Sequence, residues 1–321
     1  MSNKKTRLLK IAIIIVGSLF AAGTAWRFPW KITYLVLLEA NLAVLLIALC
    51  VNLLSLMAKG WAWHLLLKPS ASHRWKAAQK ANLIGATVNC LSVSVAGEAA
   101  RIQALVKEER VPLQAAVISV VWARVVEAIG LTLFVLLAPS LLHLPLILRK
   151  IQIGAGAVLA VFLLLMMLRQ GRRRAVWRPQ FLRSALSSLA EIGSYKRLFW
   201  PIVLVLFNWS AQWSAFHLAL LATRTHPSLS TSFMALLATN LSGLLRLTPA
   251  NIGVFQVSMV ASLLSFGIPY ERGMAASLAL QGIQVIPVVI AGILVMAPWR
   301  SLLRRSAHSY GIPESDHGAF A

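Results

Sequence analysis

Long apolar runs separated by short charged segments set the rhythm of this chain. Six of these runs read as membrane-spanning helices, near residues 8–26, 34–57, 113–138, 151–168, 198–221 and 274–297. A helix needs about 20 apolar residues to cross hydrocarbon, and only a helix or a closed barrel satisfies its backbone there. The first run follows Lys4, Lys5, Arg7 and Lys10 and closes on Trp26, Arg27, Phe28 and Trp30, an interfacial belt. A second run follows directly, which predicts an uncleaved anchor rather than a removed signal peptide. That second run covers Tyr34 to Met57 and is followed by Lys59, Trp61, Trp63 and Lys68-Pro69, read here as another interface. Glu39, near its outer end, is given no role.

Two stretches depart from the rhythm. Ala81 to Ala96 is too short to span and carries Asn82, Gly85, Asn89, Ser92 and Ser94 before a glycine break at Gly97. Ser230 to Leu245 runs into a second break, Arg246 to Gly253 with Pro249 inside it, and then Val254 to Phe266. Charge decides how these stretches lie. The N-terminus, the 59–80 segment, the 169–197 segment and the 300–305 segment are basic and expected to be cytoplasmic. A simple crossing by 81–96 would put the 169–197 segment outside. The conflict disappears if 81–110 enters from the cytoplasm and returns there, and 230–266 does the same from the outer side. Within the basic segment, 181–192 places Leu182, Leu186 and Leu189 at helical spacing and predicts a surface helix.

The two units share a plan. Each has a short polar-bearing run, a glycine break (Gly97; Gly253), a returning segment and a Val-Pro or Ile-Pro pair (Val111-Pro112; Ile268-Pro269). Each ends in a spanning helix with polar residues partway along, Arg124 and Glu127 in one, Gln281 and Gln284 in the other. Inverted repeats with broken helices are how many transporters build a site near the midplane. The expected fold is all-α: a polytopic integral membrane protein with one transmembrane domain over 1–300, two re-entrant broken-helix hairpins forming an inverted repeat, and a polar cytoplasmic tail over 301–321.

Composition supports the membrane reading. The chain has 321 residues, 59% hydrophobic and 12% charged, with mean hydropathy +0.75, where soluble domains carry about 25% charged residues. The net charge of +22 is spread over membrane-flanking segments, so its partner is the anionic leaflet and not nucleic acid. Cys50 and Cys90 stand singly in apolar runs. Seven histidines are scattered with no i, i+4 pair, which argues against a metal site. No phosphate-binding loop, dinucleotide fingerprint or nucleophile elbow occurs, so neither a cofactor nor an enzyme activity is expected.

Charge inside an apolar run is the informative chemistry. Each Arg, Lys or Asp at a bilayer centre costs roughly 2.5–3.5 kcal/mol on insertion scales. Glu98 with Arg101, and Arg124 with Glu127, lie one helical turn apart and share a face. Three readings stand open: mutual neutralisation, an arginine meeting a lipid phosphate, or a proton relay. Candidate substrate-binding residues are Glu98, Arg101, Arg124, Glu127, Asn89, Arg246, Asn251, Gln256, Gln281 and Gln284, with Gly97, Pro249 and Gly253 at the breaks. Asn89 and Asn251 are expected to mark breaks that offer backbone groups. Thr248 and Asn251 also read as caps of broken helix ends.

With these residues in view, the chain resembles the flippase-like membrane family represented by the transmembrane region of lysylphosphatidylglycerol synthase. That family carries G-E-x-x-R, here Gly97-Glu98-Ala99-Ala100-Arg101; an E-R-x-x-D core, here Ala123-Arg124-Val125-Val126-Glu127; and P-x-x-x-G-x-x-E, here Pro249 to Gln256 with Gly253 in place. Ala123, Glu127 and Gln256 depart from that pattern. The resemblance covers nearly the whole chain. It implies an inner-membrane translocase of a phospholipid, aminoacyl-lipid, polyprenyl-linked or hopanoid lipid, with membrane lipids as partners and either a homo-oligomer or a lipid-synthesis protein beside it. The chain ends at Ala321, short of a soluble aminoacyl-transferase domain, so it is expected not to make the aminoacyl lipid itself. A lipid-modifying enzyme and a scaffold for lipid synthesis are the competing readings.

Overall fold

The computed structural model describes residues 30–92, 96–137, 153–154, 195–243 and 248–296. Within them lie nine α-helices and one 3₁₀ turn, and no strand. The helices are α1 (Trp30–Leu38), α2 (Leu42–Leu67), α3 (Trp75–Leu91), α4 (Ala96–Glu109), α5 (Leu113–Leu137), α6 (Tyr195–Ala222), α7 (Leu229–Gly243), α8 (Val254–Leu264) and α9 (Tyr270–Met296). The 3₁₀ turn (Pro249–Asn251) separates α7 from α8. Expected elements at 8–26, 151–168, 181–192 and 301–321 fall outside the described residues, apart from Ile153 and Gly154, which are helical.

Four helices, α2, α5, α6 and α9, are long and apolar enough to cross a membrane. Their surfaces agree: only 22% of the most apolar window of α2, and of α9, is buried in protein. Leu46, Ile47, Leu54, Phe199, Trp200 and Ile290 stand exposed, an apolar surface that a soluble monomer rarely carries. The chain is a multi-pass membrane protein, with lipid covering these faces.

The central unit is the antiparallel pair α2–α6. At one end the Asn41 N–H donates to the Ala222 carbonyl at 2.9 Å. Midway the Ser55 hydroxyl donates to Asn208 Oδ1 at 2.8 Å. Helix α5 packs on both partners. Trp63 Nε1 donates to Ser119 Oγ at 3.0 Å, and Gly130 leaves room for Val205, into which a Cβ would run. Phe134, Trp213 and Phe233 then join α5, α6 and α7 through ring contacts of 5.5–5.9 Å between centroids.

The expected helix over 34–57 is in fact two. The chain breaks at Glu39-Ala40-Asn41, and α2 runs on to Leu67. Asn41 accounts for the break: its backbone is extended and its side chain accepts from the Val44 N–H at 3.2 Å, an N-cap inside an apolar run. Of the interface read at Lys59, Trp61 and Trp63, only Trp63 is corrected, since Trp61 stays exposed. All three lie within α2, and Trp63 is 1% exposed. Helix α9 contains Pro287, which has no N–H to offer the Ile283 carbonyl; Asn52 Nδ2 of α2 reaches that carbonyl at 3.4 Å.

Helices α3 and α4 form a helical hairpin, beginning six residues before the expected 81. At 1.5 Å per residue they measure about 25 and 21 Å, short of the roughly 30 Å hydrocarbon core. Their free ends are tied by Arg74–Glu109 (2.8 Å) and Lys80–Glu108 (2.9 Å). The Arg74 hydrogen bond holds the Glu109 carboxyl below the usual carboxylate range. Higher up the helices cross on two glycines: a Cβ at Gly85 would sit 2.8 Å from the Gly97 carbonyl oxygen, and one at Gly97 would strike Gly85 and Asn89. Helices α7 and α8, about 22 and 16 Å long, make a second hairpin around the 3₁₀ turn. The first hairpin opens at the C-terminal end of α2. The second opens where α6 ends beside Asn41, at the opposite end. Between them, α3 packs against the 3₁₀ turn and against α9, where Thr87 Oγ1 donates to the Val288 carbonyl at 3.0 Å.

Candidate functional site

Five ionisable side chains from three helices meet where α2, α4 and α5 converge. The i, i+3 spacing puts Glu98 and Arg101 on one face of α4, and Arg124 and Glu127 on one face of α5. Arg124 bridges the helices: its Nη2 meets Glu98 Oε1, and its Nη1 donates to Glu127 Oε2 at 2.6 Å. Lys59 Nζ of α2 lies 2.9 Å from Glu127 Oε1. At the other end Arg101 Nε is 2.7 Å from Glu98 Oε2, an ion pair in which the N–H is not aligned for a hydrogen bond. The order is therefore Arg101, Glu98, Arg124, Glu127, Lys59, alternating in sign. Pairing makes burial tolerable, since removing one partner of a buried pair typically costs about 3–5 kcal/mol.

Arg101 is the buried end of this chain of charges, 4% exposed. Its guanidinium carbon lies 4.7 Å from the Trp63 ring centroid, a cation–π contact. Trp63 is itself fixed by Ser119, whose hydroxyl donates to the Ala116 carbonyl at 2.7 Å. Gly85 gives Arg101 its place, because a Cβ there would lie 2.9 Å from Arg101 Cβ. Arg101 Nη2 is buried with no hydrogen-bond acceptor among the described residues. Arg124 and Lys59, at 41% and 33% side-chain exposure, are the open end.

The residues of the second break form a network of neutral amides. Ala250, Asn251 and Gly253 take positive φ (50°, 55° and 87°), left-handed conformations that are costly without support. Gln256 Oε1 accepts from the Gly253 N–H at 2.7 Å, its Nε2 meets Gln281 Oε1, and Gln281 Nε2 donates to the Ala250 carbonyl at 2.9 Å. Thr248 Oγ1 donates to the Ile252 carbonyl at 2.7 Å. Gln256 and Gln281 are buried and hold the turn that starts at Pro249. Gln284 is half-buried one turn along α9, and Arg246 falls outside the described residues.

Four expected site residues, Glu98, Arg101, Arg124 and Glu127, are thus brought together. Gln256 and Gln281 form the separate amide network, and Asn251 lies in the turn that they hold. Asn89 is corrected: it lies inside α3 rather than at a break, and its Oδ1 accepts from the Gly97 N–H at 3.2 Å, fixing the start of α4 beside Glu98. Sequence reasoning missed Lys59, because a lysine among tryptophans has the signature of an interface. It also missed that His64 and His73, nine positions apart, meet with ring nitrogens at 2.8 Å. A cavity of about 420 Å³ lies at the far end, between the α6–α7 and α8–α9 connections, with Arg272 and His226 in its wall. It contains none of the expected site residues.

No curated protein matches the chain. The description of the family that does match is the transmembrane region of lysylphosphatidylglycerol synthase, and the match runs over residues 7–292. With nearly its whole length covered, the chain belongs to that family, a membrane family of lipid and cell-envelope metabolism.

Proposed function

We propose that the protein is a lipid translocase of the bacterial inner membrane. It carries a lipid headgroup past the charged cluster and makes or breaks no covalent bond on the way. The observation that carries this reading is the meeting of Arg101 and Arg124 with Glu98 and Glu127 between a short hairpin and a spanning helix. Charge at that depth is ordinarily functional, and guanidinium groups suit phosphate. In this reading α3–α4 is a re-entrant hairpin from the cytoplasm and α7–α8 one from the outer side. Both termini are cytoplasmic. The lengths of these helices, and their opening at opposite ends, support an inverted repeat.

Purified protein in liposomes with a fluorescent phospholipid tests the reading. Transport predicts that outer-leaflet quenching extends to the inner-leaflet pool only when protein is present. Protein-independent quenching for every lipid class named above would remove the proposal. If instead a lipid were covalently changed, the enzyme reading would replace it.

A further inference from the structure

The charge count of the cluster points to the class of headgroup, on the reading that this site meets the lipid. Three cations (Lys59, Arg101, Arg124) face two carboxylates (Glu98, Glu127), which leaves the group one positive charge in excess. Each carboxylate oxygen also faces a cation, although Glu98 Oε2, buried beside the misaligned Arg101 Nε, accepts no hydrogen bond among the described residues. Glu98 Oε1 faces Arg124 and Oε2 faces Arg101; Glu127 Oε1 faces Lys59 and Oε2 faces Arg124. A ligand ammonium would find no carboxylate oxygen without a cation of the protein's own. Nearby Ala123, buried beside Arg124, adds none. On the donor side the opposite holds. Arg101 is more than nine-tenths buried, and its Nη2 has no acceptor among the described residues. Its Nε is close to Glu98 but misaligned, and Arg124 and Lys59 are partly open.

We propose that the site selects a lipid whose headgroup is a phosphate ester of net negative charge, and discriminates against the same lipid once an aminoacyl group has made it cationic. The phosphate supplies both the missing charge and the missing acceptor. A hopanoid supplies neither, and an aminoacylated headgroup adds a cation where cations are already in excess. One unit charge facing a partly buried excess charge within several ångströms is worth at least about tenfold in rate at an effective dielectric near 20.

The test uses the full chain in liposomes with three tail-labelled lipids: a phosphatidylglycerol, its lysyl ester and a phosphatidylcholine. The expected order of movement is phosphatidylglycerol first, at least about tenfold over the lysyl ester, with phosphatidylcholine between. Lys59→Gln keeps a polar N–H donor on that face of α2 and removes the excess charge, so the preference should collapse towards parity. Lys59→Arg should retain it. Movement of the lysyl ester as fast as the phosphatidylglycerol would overturn the selectivity and leave transport standing. No movement of any of the three would remove the transport reading itself, and this inference with it. Uptake of radiolabelled inorganic phosphate in place of lipid movement would also overturn the proposal.

Discussion

At the scale of single residues, the depth at which each charge sits decides what a substitution does. Arg101→Lys keeps the charge but loses the planar group over Trp63 and the orphan N–H. The expected loss is about 1–2 kcal/mol of stability, with a fall in lipid movement larger than the fall in melting temperature explains. Equal falls would make Arg101 merely structural. Much of this was legible: two acid–base pairs at i, i+3, one beside a glycine break and one inside an apolar helix, announced themselves, and the structure joins them. Lys59 was not, because nothing local says that a lysine beside Trp61 and Trp63 points at a glutamate 68 positions away. Asn89 misled for a related reason. An asparagine in a short helix ordinarily favours its end, whereas this one stays inside α3 to hold Gly97.

At the scale of elements, the first hairpin depends on two glycines whose carbonyls and Cα atoms nearly touch. Gly85→Ala should separate α3 from α4, displace Arg101 and cost about 1–3 kcal/mol, read as a lower melting temperature in detergent. An unchanged melting temperature and unchanged transport would contradict the crossing geometry. The second hairpin depends on amide chemistry instead. Gln281→Leu removes the donor to the Ala250 carbonyl and strands Gln256, so proteolysis at 248–253 should accelerate. The short paired helices α3–α4 and α7–α8 fall where the sequence placed its two short stretches, and α5, α6 and α9 lie within four residues of the expected spans. The break at Asn41 was not, because apolar residues flank it on both sides and only one polar cap marks it.

At the scale of the whole molecule, four apolar helices with exposed apolar sides pack with two short helix pairs that open at opposite ends. Single cysteines in a Cys50→Ala, Cys90→Ala background test that arrangement. Val106→Cys, near the open end of the first hairpin, should label from the cytoplasm, as should Ala175→Cys in the basic segment. Ser228→Cys, beside the distant cavity, should label from the other side. Val106 and Ser228 labelling from one side would contradict the opposed hairpins. Such topology establishes the frame, but the account stands on the arginine that joins α4 to α5. The most direct measurement compares wild type with Arg124→Ala in the same liposome assay, with helicity checked by circular dichroism. The account predicts protein-dependent movement of an anionic phospholipid that falls at least about a hundredfold in the folded variant, about 2.7 kcal/mol; undiminished movement in Arg124→Ala would contradict it.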